Sequence, residues 1–292
     1  MEEQMKEKDE QLAKELQKGK QGRAGGKILS LLGLAVAAVG VILGGNLVMI
    51  VIGAVILGLG QMVQSGSKGK ANQKAFEAIV PALMADTFEG VDFQPAQHLL
   101  CAEDTNIPLP KHDSCSASGY IRGTYHGLPA ELCTVRLTDV NEIQQEETGM
   151  WERNETEVYI GQWMLCELGQ EFPTTWLTIW PREKLDKLLR SGTIQTGDEA
   201  FDKRFNLSSD NAQAALQILT PGRMERILAL AGSAHGKFSL NLNADGRLYL
   251  AVHSGRGFFD IGKGREQPEI LRQRFASELK WFTDMIDVFR PV

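Results

Sequence analysis

The sequence predicts an α+β fold: a two-helix transmembrane hairpin, then a mixed α/β soluble region with mostly antiparallel strands and a long C-terminal amphipathic helix. Three observations support this prediction. Residues 28–60 contain no charged side chain. Residues 119–191 contain several short segments rich in β-branched and aromatic residues, as strands are. Residues 268–289 place apolar side chains three or four positions apart, as an amphipathic helix does.

The uncharged segment is too long for one membrane crossing and long enough for two. About 20 apolar residues cross the roughly 30 Å of hydrocarbon, whereas one straight helix over residues 28–60 would need a tilt beyond the roughly 0–40° range of membrane helices. Gly44, Gly45 and Asn46 lie near its middle and accept the positive φ angles of a tight turn. We therefore expect two short spans, 27–44 and 46–64.

Small residues recur on one face of each span and indicate how the spans pack. They are Gly33, Ala37 and Gly40 in the first span and Gly53 and Gly60 in the second. In lipid, small side chains let two helix backbones approach closely, so we expect these residues at the helix–helix contact. The alternative is that glycine is simply common in membrane helices.

Basic residues flank the hairpin on both sides, while its turn carries no charge. They are Lys18, Lys20, Arg23 and Lys27 before it and Lys68, Lys70 and Lys74 after it. Because positive flanks stay cytoplasmic, we expect a multi-pass protein of the cell inner (plasma) membrane with both termini in the cytoplasm. A signal peptide is the competing interpretation, but the apolar segment is more than about twice as long as an ordinary signal-peptide core.

Charge and cysteine content bound the possible functions. Nine of the 31 basic and six of the 37 acidic residues precede position 71, which leaves 22 basic and 31 acidic residues after it. An acidic domain repels a phosphate backbone, so nucleic acid is not an expected partner. Four cysteines in 292 residues do not indicate a disulfide framework, and in the cytoplasm they are expected to be free thiols.

These patterns divide the chain into five regions. They are a charged leader helix (1–26), the hairpin (27–64), a flexible link with a juxtamembrane helix and an extended connection (65–118), a strand-rich lobe (119–191) and an α/β lobe with the C-terminal helix (192–292). For the strand-rich lobe we predict strands at 120–125, 132–137, 158–165 and 176–180, an acidic loop at 141–156 and a short helix at 183–190.

The α/β lobe carries clear local signals. We predict a strand at 201–207, a helix that Ser209 or Asp210 caps and that ends at Leu219, and a second helix with Thr220 as its cap and Pro221 in its first turn. Strands 238–242 and 248–252 should form a hairpin around Asp245-Gly246, a dipeptide suited to a type I′ turn. The final helix should run from Pro268 to Phe289 with its apolar face in the core.

Several residues of this lobe resemble the C-terminal signature of a bacterial membrane-protein family. They are Phe201, Asp202, Arg204 and Phe205, then Leu219, Thr220, Pro221, Met224, Ile227 and Leu228, then residues 245–251 followed by Phe258 and Phe259. The family consists of a transmembrane hairpin followed by a soluble domain of unknown function, and its members are often encoded near LemA-type membrane proteins. The resemblance covers most of residues 27–260. It implies the same order of parts, no established activity or catalytic residues, and a membrane-associated assembly.

Two His-x-x-Cys pairs are the strongest candidate for a metal site. His98 with Cys101 and His112 with Cys115 would supply four tetrahedral zinc ligands from a segment with little regular structure, where a metal can replace a hydrophobic core. Paired CxxC motifs are the usual form of such sites. The alternative is two surface histidines beside small buried thiols, and no other cofactor is expected.

Other candidate sites are weaker. Cys133 and Cys166 lie within strand patterns, and His126 in a nearby loop would have to approach one of them to create a nucleophile. Arg256, Lys263 and Arg265 lie in a glycine-rich loop that would bind a phosphate or a lipid headgroup, although the loop has no nucleotide-binding spacing. A solvated connector is the alternative for this loop.

The sequence thus predicts a membrane-anchored, cytoplasm-facing protein without an evident reaction. We interpret the soluble region as a non-enzymatic interaction or assembly module whose partners are the bilayer and another membrane-associated protein or further copies of itself. The alternatives are a membrane-bound metal-dependent or thiol hydrolase and a binder of lipid or a small ligand. A deep apolar pocket in the strand-rich region would favour the binder.

Overall fold

A computed structural model describes residues 2–42, 47–144, 151–182, 193–262 and 266–291. The chain forms two compact units, one of Met1–Leu83 with Phe259–Phe275 and one of Met84–Phe258 with Ala276–Val292. The α+β prediction is confirmed, because two long N-terminal helices precede one antiparallel sheet and a C-terminal helix.

The described elements are numbered in chain order. The helices are α1 (Glu2–Ile42), α2 (Leu47–Thr87), α3 (Glu199–Arg204), α4 (Ala212–Ile218), α5 (Pro221–Ser233) and α6 (Pro268–Phe289), with a short 3-10 turn at Ala102–Asp104. The strands are β1 (Glu89–Phe93), β2 (Ser114–Tyr125), β3 (Leu128–Gln144), β4 (Trp151–Glu167), β5 (Trp176–Pro181), β6 (Phe205–Ser209), β7 (Lys237–Asn243) and β8 (Arg247–His253).

The first two helices are longer than the sequence indicated. The leader and the first span form one continuous helix, α1, and α2 continues through residues 65–69, where we expected a flexible link. The hydroxyl of Ser65 donates to the carbonyls of Gln61 and Met62 and so stays within the helix. Pro81 lies inside α2 without ending it. Helix continuity here follows from packing, since Ala71 and Ala75 are buried against the rest of their unit.

A C-terminal segment completes the helical unit. Phe259 packs between Phe76, at 6.1 Å between ring centroids, and Phe275, at 5.4 Å. The side-chain oxygen of Asn72 accepts from the amide of Ile261 at 2.9 Å. These contacts attach residues 259–275 to α2.

The sheet has the order β1-β2-β3-β4-β8-β7-β5-β6, and every neighbouring pair is antiparallel. It joins strands from both predicted lobes. Its longest pair, β3 with β4, is 17 residues on each side, so much of the predicted acidic loop at 141–156 is strand instead. Residues 145–150, and the predicted helix at 183–190, lie outside the described residues.

The two faces of the sheet have different covers. Helix α5 and residues of α6 from Ala276 onward cover one face: Trp281 packs on Phe238 of β7 and donates to the carbonyl of Leu230. The opposite face buries Trp163 and Tyr249 beneath Leu100 and Ile107 of the extended connection. Because side chains alternate along a strand, both covers draw on every second residue of the same strands.

Turn and cap residues account for most of the connections. His126 and Gly127 both have positive φ angles, 51° and 79°, which suits the two-residue turn between β2 and β3. Gly246 has a φ angle of 81° in the predicted Asp245-Gly246 turn, and the β7–β8 hairpin is confirmed. Thr220 caps α5 with Pro221 at its start, as predicted, and α6 has the predicted bounds.

The predicted strand at 201–207 was wrong in its first half. Asp198 accepts from the amides of Ala200 and Phe201 and starts helix α3, and β6 begins only at Phe205. The cap of α4 is Asn211 rather than Ser209 or Asp210. Asp210 instead accepts a hydrogen bond from the hydroxyl of Thr174. This hydrogen bond holds the pKa of the Asp210 carboxyl well below its usual range.

Candidate functional site

Exposed apolar side chains are concentrated on one part of α1 and α2. Among the described residues, 15 of the 18 exposed large hydrophobic side chains lie between positions 28 and 63, including Ile42 at 81% and Leu47 at 74% exposure. We call this surface the apolar band. Contiguous exposed apolar surface of this extent indicates a membrane or a protein partner.

Among the described helices, the part of α1 from Asp9 to Ile42 is long and apolar enough to cross a membrane. Only 17% of its most apolar 18-residue window is buried, whereas the core helix of a soluble domain is mostly buried. The apolar part of α2, Leu47–Val63, is shorter, at 17 residues, which is the lower end of the range for a membrane span.

Glycines bring the backbones of α1 and α2 together along one line. A Cβ atom added at Gly33 would lie 2.5 Å from the backbone nitrogen of Leu57, and one added at Gly53 would lie 2.5 Å from that of Ala37. At Gly60 it would lie 2.4 Å from the hydroxyl of Ser30. We call these contacts the glycine seam. Only hydrogen fits at the three glycines, because ordinary carbon contacts need about 3.5 Å.

The seam has a regular period and a fixed centre. Gly19, Gly26, Gly33 and Gly40 are all buried and follow one another every seventh residue, the spacing of helices that wind around each other with a left-handed twist. The contacts of Gly33 with Leu57 and of Ala37 with Gly53 share their midpoint at Gly45. This symmetry is that of an antiparallel helical hairpin. The turn residues Gly44, Gly45 and Asn46 themselves lie outside the described residues.

The structure does not bring the two His-x-x-Cys pairs together as a zinc site. Across the described part of the chain, no group of three or more His, Cys, Asp or Glu side chains is placed to hold a metal ion. The ring of His98 lies on Tyr120, with 3.7 Å between centroids, and Nδ1 of His112 lies 2.8 Å from the carbonyl of Pro110. Cys101 is exposed, whereas burial is the main cause that raises the pKa of Cys115.

A buried carboxylate holds the segment around His98 against the sheet. Glu131 is 1% exposed and accepts from the amides of Leu99 and Leu100 and from the guanidinium of Arg122. Charge-assisted hydrogen bonds to backbone amides are about twice as strong as neutral ones. Glu131 therefore fastens the extended connection to the sheet.

The buried thiols are unsuited to nucleophilic catalysis. Burial raises the pKa of Cys133, and it raises the pKa of Cys166 to about 12. At neutral pH both side chains are therefore protonated, and the thiolate is the nucleophilic form. The ring of His126 contacts Tyr125, at 4.4 Å between centroids, in the β2–β3 turn.

Arg256 is half-buried and pairs with a buried carboxylate instead of forming an open anion site. Its guanidinium contacts the carboxylate of Glu278, which also accepts from the side-chain amide of Gln162 at 2.9 Å. The oxygen of that amide lies 2.7 Å from Nε2 of His235. Gln162 and Glu278 are almost fully buried. Lys263 and Arg265, the other two residues of the predicted anion site, lie outside the described residues.

Neither buried carboxylate, Glu131 or Glu278, was predicted from the sequence. Glu131 directly precedes the predicted strand at 132–137, and Glu278 lies one residue before Leu279 on the helix face that we predicted to be apolar. An acidic residue among core positions is a signal of a buried, paired charge. This signal marks the position but does not indicate the partner.

A known protein family matches part of the chain. The family model described as "Protein of unknown function (DUF3137)" matches residues 157–290. The match extends from β4 through α6 and does not reach the hairpin, so the hairpin and the LemA neighbourhood implied by the resemblance stay predictions. No curated protein matches the chain.

One solved structure is similar at low identity. It is the crystal structure of the mycobacterial trehalose monomycolate transport factor A, TtfA, with 12% identity and a TM-score of 0.32 over 62% of this chain and 78% of that chain. A TM-score of this size does not by itself establish a shared fold.

Substitution of Glu278 should destabilise the soluble unit strongly. Glu278→Ala leaves the cation of Arg256 without its carboxylate and leaves the side-chain amide of Gln162 with only its longer, 3.4 Å hydrogen bond to the carbonyl of Gly257, so we expect a loss of about 3 kcal/mol in the free energy of unfolding. Glu199→Ala is the matched control, because Glu199 pairs with Lys203 on the surface, with both side chains more than 70% exposed, and should cost less than about 1 kcal/mol. Urea denaturation followed by tryptophan fluorescence measures both, and equal losses would contradict the buried network.

Enlarging a seam glycine should separate the two helices. Gly53→Val places carbon within 3 Å of Ala37, whereas Gly58→Val meets nothing within 4 Å and is the matched control. With nitroxide labels at the exposed positions Leu34 and Leu59, replaced by cysteine in a Cys101→Ser background, we expect Gly53→Val to lengthen the inter-label distance by at least about 1 Å. An unchanged distance, or the same change in both variants, would contradict the glycine seam.

Proposed function

We propose that this chain is a membrane-anchored protein whose soluble region works by binding other molecules and not by catalysis. The observation that carries the proposal is the apolar band at positions 28–63, with the large majority of the exposed apolar side chains of the described residues. Transfer of this surface out of water contributes about 25 cal/mol per Å². Hydrocarbon is the environment that accepts it on all sides.

The anchor in this proposal is a hairpin that crosses the membrane twice. The glycine seam supports it, because it pairs the apolar halves of α1 and α2 in antiparallel order about Gly45. Short spans can be accommodated by local thinning of the bilayer. Basic residues before α1 reaches the band and after α2 leaves it favour cytoplasmic termini at the inner (plasma) membrane.

Binding is favoured over the hydrolase alternatives by the state of the candidate residues. The buried thiols are protonated at neutral pH. Of the four proposed zinc ligands, His98 packs on Tyr120 and His112 lies beside the carbonyl of Pro110, whereas Cys101 is exposed and Cys115 is half-buried. Anchoring confines the soluble region to a thin layer beside the membrane. This raises its effective concentration toward other membrane-bound proteins or toward further copies of itself, which are the partners we propose.

Charges placed in the apolar band should abolish membrane anchoring. An arginine near the centre of a span costs about 2.5–3.5 kcal/mol, so Leu34→Arg with Val55→Arg should release the full-length chain from membranes in a flotation gradient after an alkaline wash. Leu216→Arg with Ile270→Arg is the matched control, because it adds the same charge at two exposed apolar side chains outside the band. Flotation of the first variant together with the control would contradict the proposal.

A further inference from the structure

The two N-terminal helices carry positive charge directly beside the apolar band. Residues 20–27 of α1 and 64–70 of α2 contain five basic residues and no acidic residue: Lys20, Arg23, Lys27, Lys68 and Lys70. Both segments belong to the first compact unit. We call these two segments the basic collar.

The antiparallel pairing of α1 and α2 places the two segments of the collar at the same level. The contact of Ser30 with Gly60 sets a register in which Lys20 lies opposite Lys70. With a rise of about 1.5 Å per residue, both lysines lie about 10–12 Å from the apolar band, which ends at positions 28 and 63. The headgroup layer on each side of the hydrocarbon is about 5–8 Å thick, and lysine side chains extend along a helix toward it.

The continuity of α2 keeps the collar at this level. Residues 65–69 are helical, where we expected a flexible link. In a flexible link Lys68 and Lys70 would change their distance from the apolar band freely. In the helix that distance is fixed, so the collar stays beside the surface of the membrane that the proposed anchor enters.

The surface of the collar is open and partly built from glycine. Lys20, Lys27 and Lys70 are exposed. At three glycines of the collar, an added Cβ atom would meet nothing within 4 Å in the described part of the chain: Gly25, Gly66 and Gly69. Glycine is unfavourable within a helix. Here it leaves space beside the lysine side chains, in which a headgroup can approach the two backbones closely.

Farther from the apolar band, the charges of the two helices are mixed. Lys18 pairs with Glu15 at 2.8 Å, and Lys74 pairs with Glu77 at 3.5 Å. The segment 259–275 adds Asp260 beside its contact with α2. Charge of a single sign is therefore concentrated at the level where a membrane-inserted hairpin meets the lipid headgroups.

We propose that the basic collar binds the phosphate groups of anionic phospholipids, with Lys20, Lys27 and Lys70 as contacting side chains. A cluster of about four to eight basic residues immediately beside a membrane span attracts anionic lipid, and each residue contributes about fivefold in affinity. At physiological salt this attraction is screened beyond about 8 Å, so the charges nearest the headgroups dominate. The inference rests on the membrane anchor proposed above and names the class of lipid that the anchor selects.

The test measures which lipids surround the full-length protein in vesicles. A bimane label at Gln61→Cys, in a Cys101→Ser background, lies at an exposed position at the end of the apolar band. The vesicles contain phosphatidylcholine and a small, equal fraction of nitroxide-labelled phosphatidylglycerol or phosphatidylcholine, which quench the label on contact. We expect phosphatidylglycerol to be enriched at least about fivefold around the label at about 0.1 M salt. The enrichment should disappear at about 1 M salt, where the screening length is about 3 Å.

Three substitutions remove charge from the collar. Combined, Lys20→Gln, Lys27→Gln and Lys70→Gln should lower the enrichment below about twofold, while quenching by labelled phosphatidylcholine stays unchanged. The matched control removes the same charge from three exposed lysines outside the collar: Lys111→Gln, Lys203→Gln and Lys280→Gln. This control variant should keep the full enrichment.

The quenching pattern separates the collar from the anchor. Equal quenching by the two labelled lipids, or the same loss in the collar and control variants, would overturn the lipid assignment and leave the anchor intact. If neither lipid quenches the label, the anchor is wrong and the assignment falls with it. The competing occupant is an acidic protein segment. A glutamate-rich peptide added to the vesicles should leave the enrichment unchanged, and loss of the enrichment would overturn the lipid assignment in favour of a protein partner.

Discussion

In the described part of the chain the apolar band is left exposed, and the proposed membrane anchor depends on this surface. An α-helix satisfies its backbone hydrogen bonds internally, so a pair of helices can leave water without unpaired polar groups. Each helix of the hairpin uses one narrow line of glycines, at Gly33, Gly53 and Gly60, to contact the other. Away from this line, the two helices present exposed aliphatic side chains. Hydrophobicity gives no attraction between helices within lipid, so close backbone packing holds the pair together.

Two buried carboxylates hold elements together in the second compact unit, Met84–Phe258 with Ala276–Val292. Glu131 attaches the extended connection to one sheet face through the amides of Leu99 and Leu100, and Glu278 attaches α6 to the other face through Gln162 and Arg256. Each carboxylate is satisfied by several donors, which a buried charge requires.

Local signals predicted the parts of the fold that local chemistry determines. The Asp245-Gly246 turn, the Thr220 cap and the helix from Pro268 to Phe289 each depend on residues within one turn or one periodic face. The strand predicted at 201–207 failed because Phe201 and Phe205 are four residues apart and contact each other, which is helical spacing.

The candidate sites also divide into features that local sequence determines and features that depend on contacts between distant parts of the chain. Composition alone predicted the apolar segment that the structure leaves exposed, since absence of charge over residues 28–60 is a local property. The cavity between residues 107–110 and the sheet could not be predicted, because its lining combines residues near positions 108, 159, 180 and 237 that meet only through strand order. The spacing of His98, Cys101, His112 and Cys115 places ligands along the chain but does not determine which side chains meet, and the described structure does not bring these four together.

The most direct test of the proposed anchor determines on which side of the membrane the soluble region lies. Cys101 is a native probe for this test, because its thiol is exposed. A membrane-impermeant maleimide applied to intact spheroplasts should leave Cys101 unlabelled and should label it after permeabilisation. In a Cys101→Ser background, Asn46→Cys in the predicted turn should show the opposite, with labelling in intact spheroplasts. Labelling of Cys101 in intact spheroplasts would contradict a hairpin with both termini in the cytoplasm.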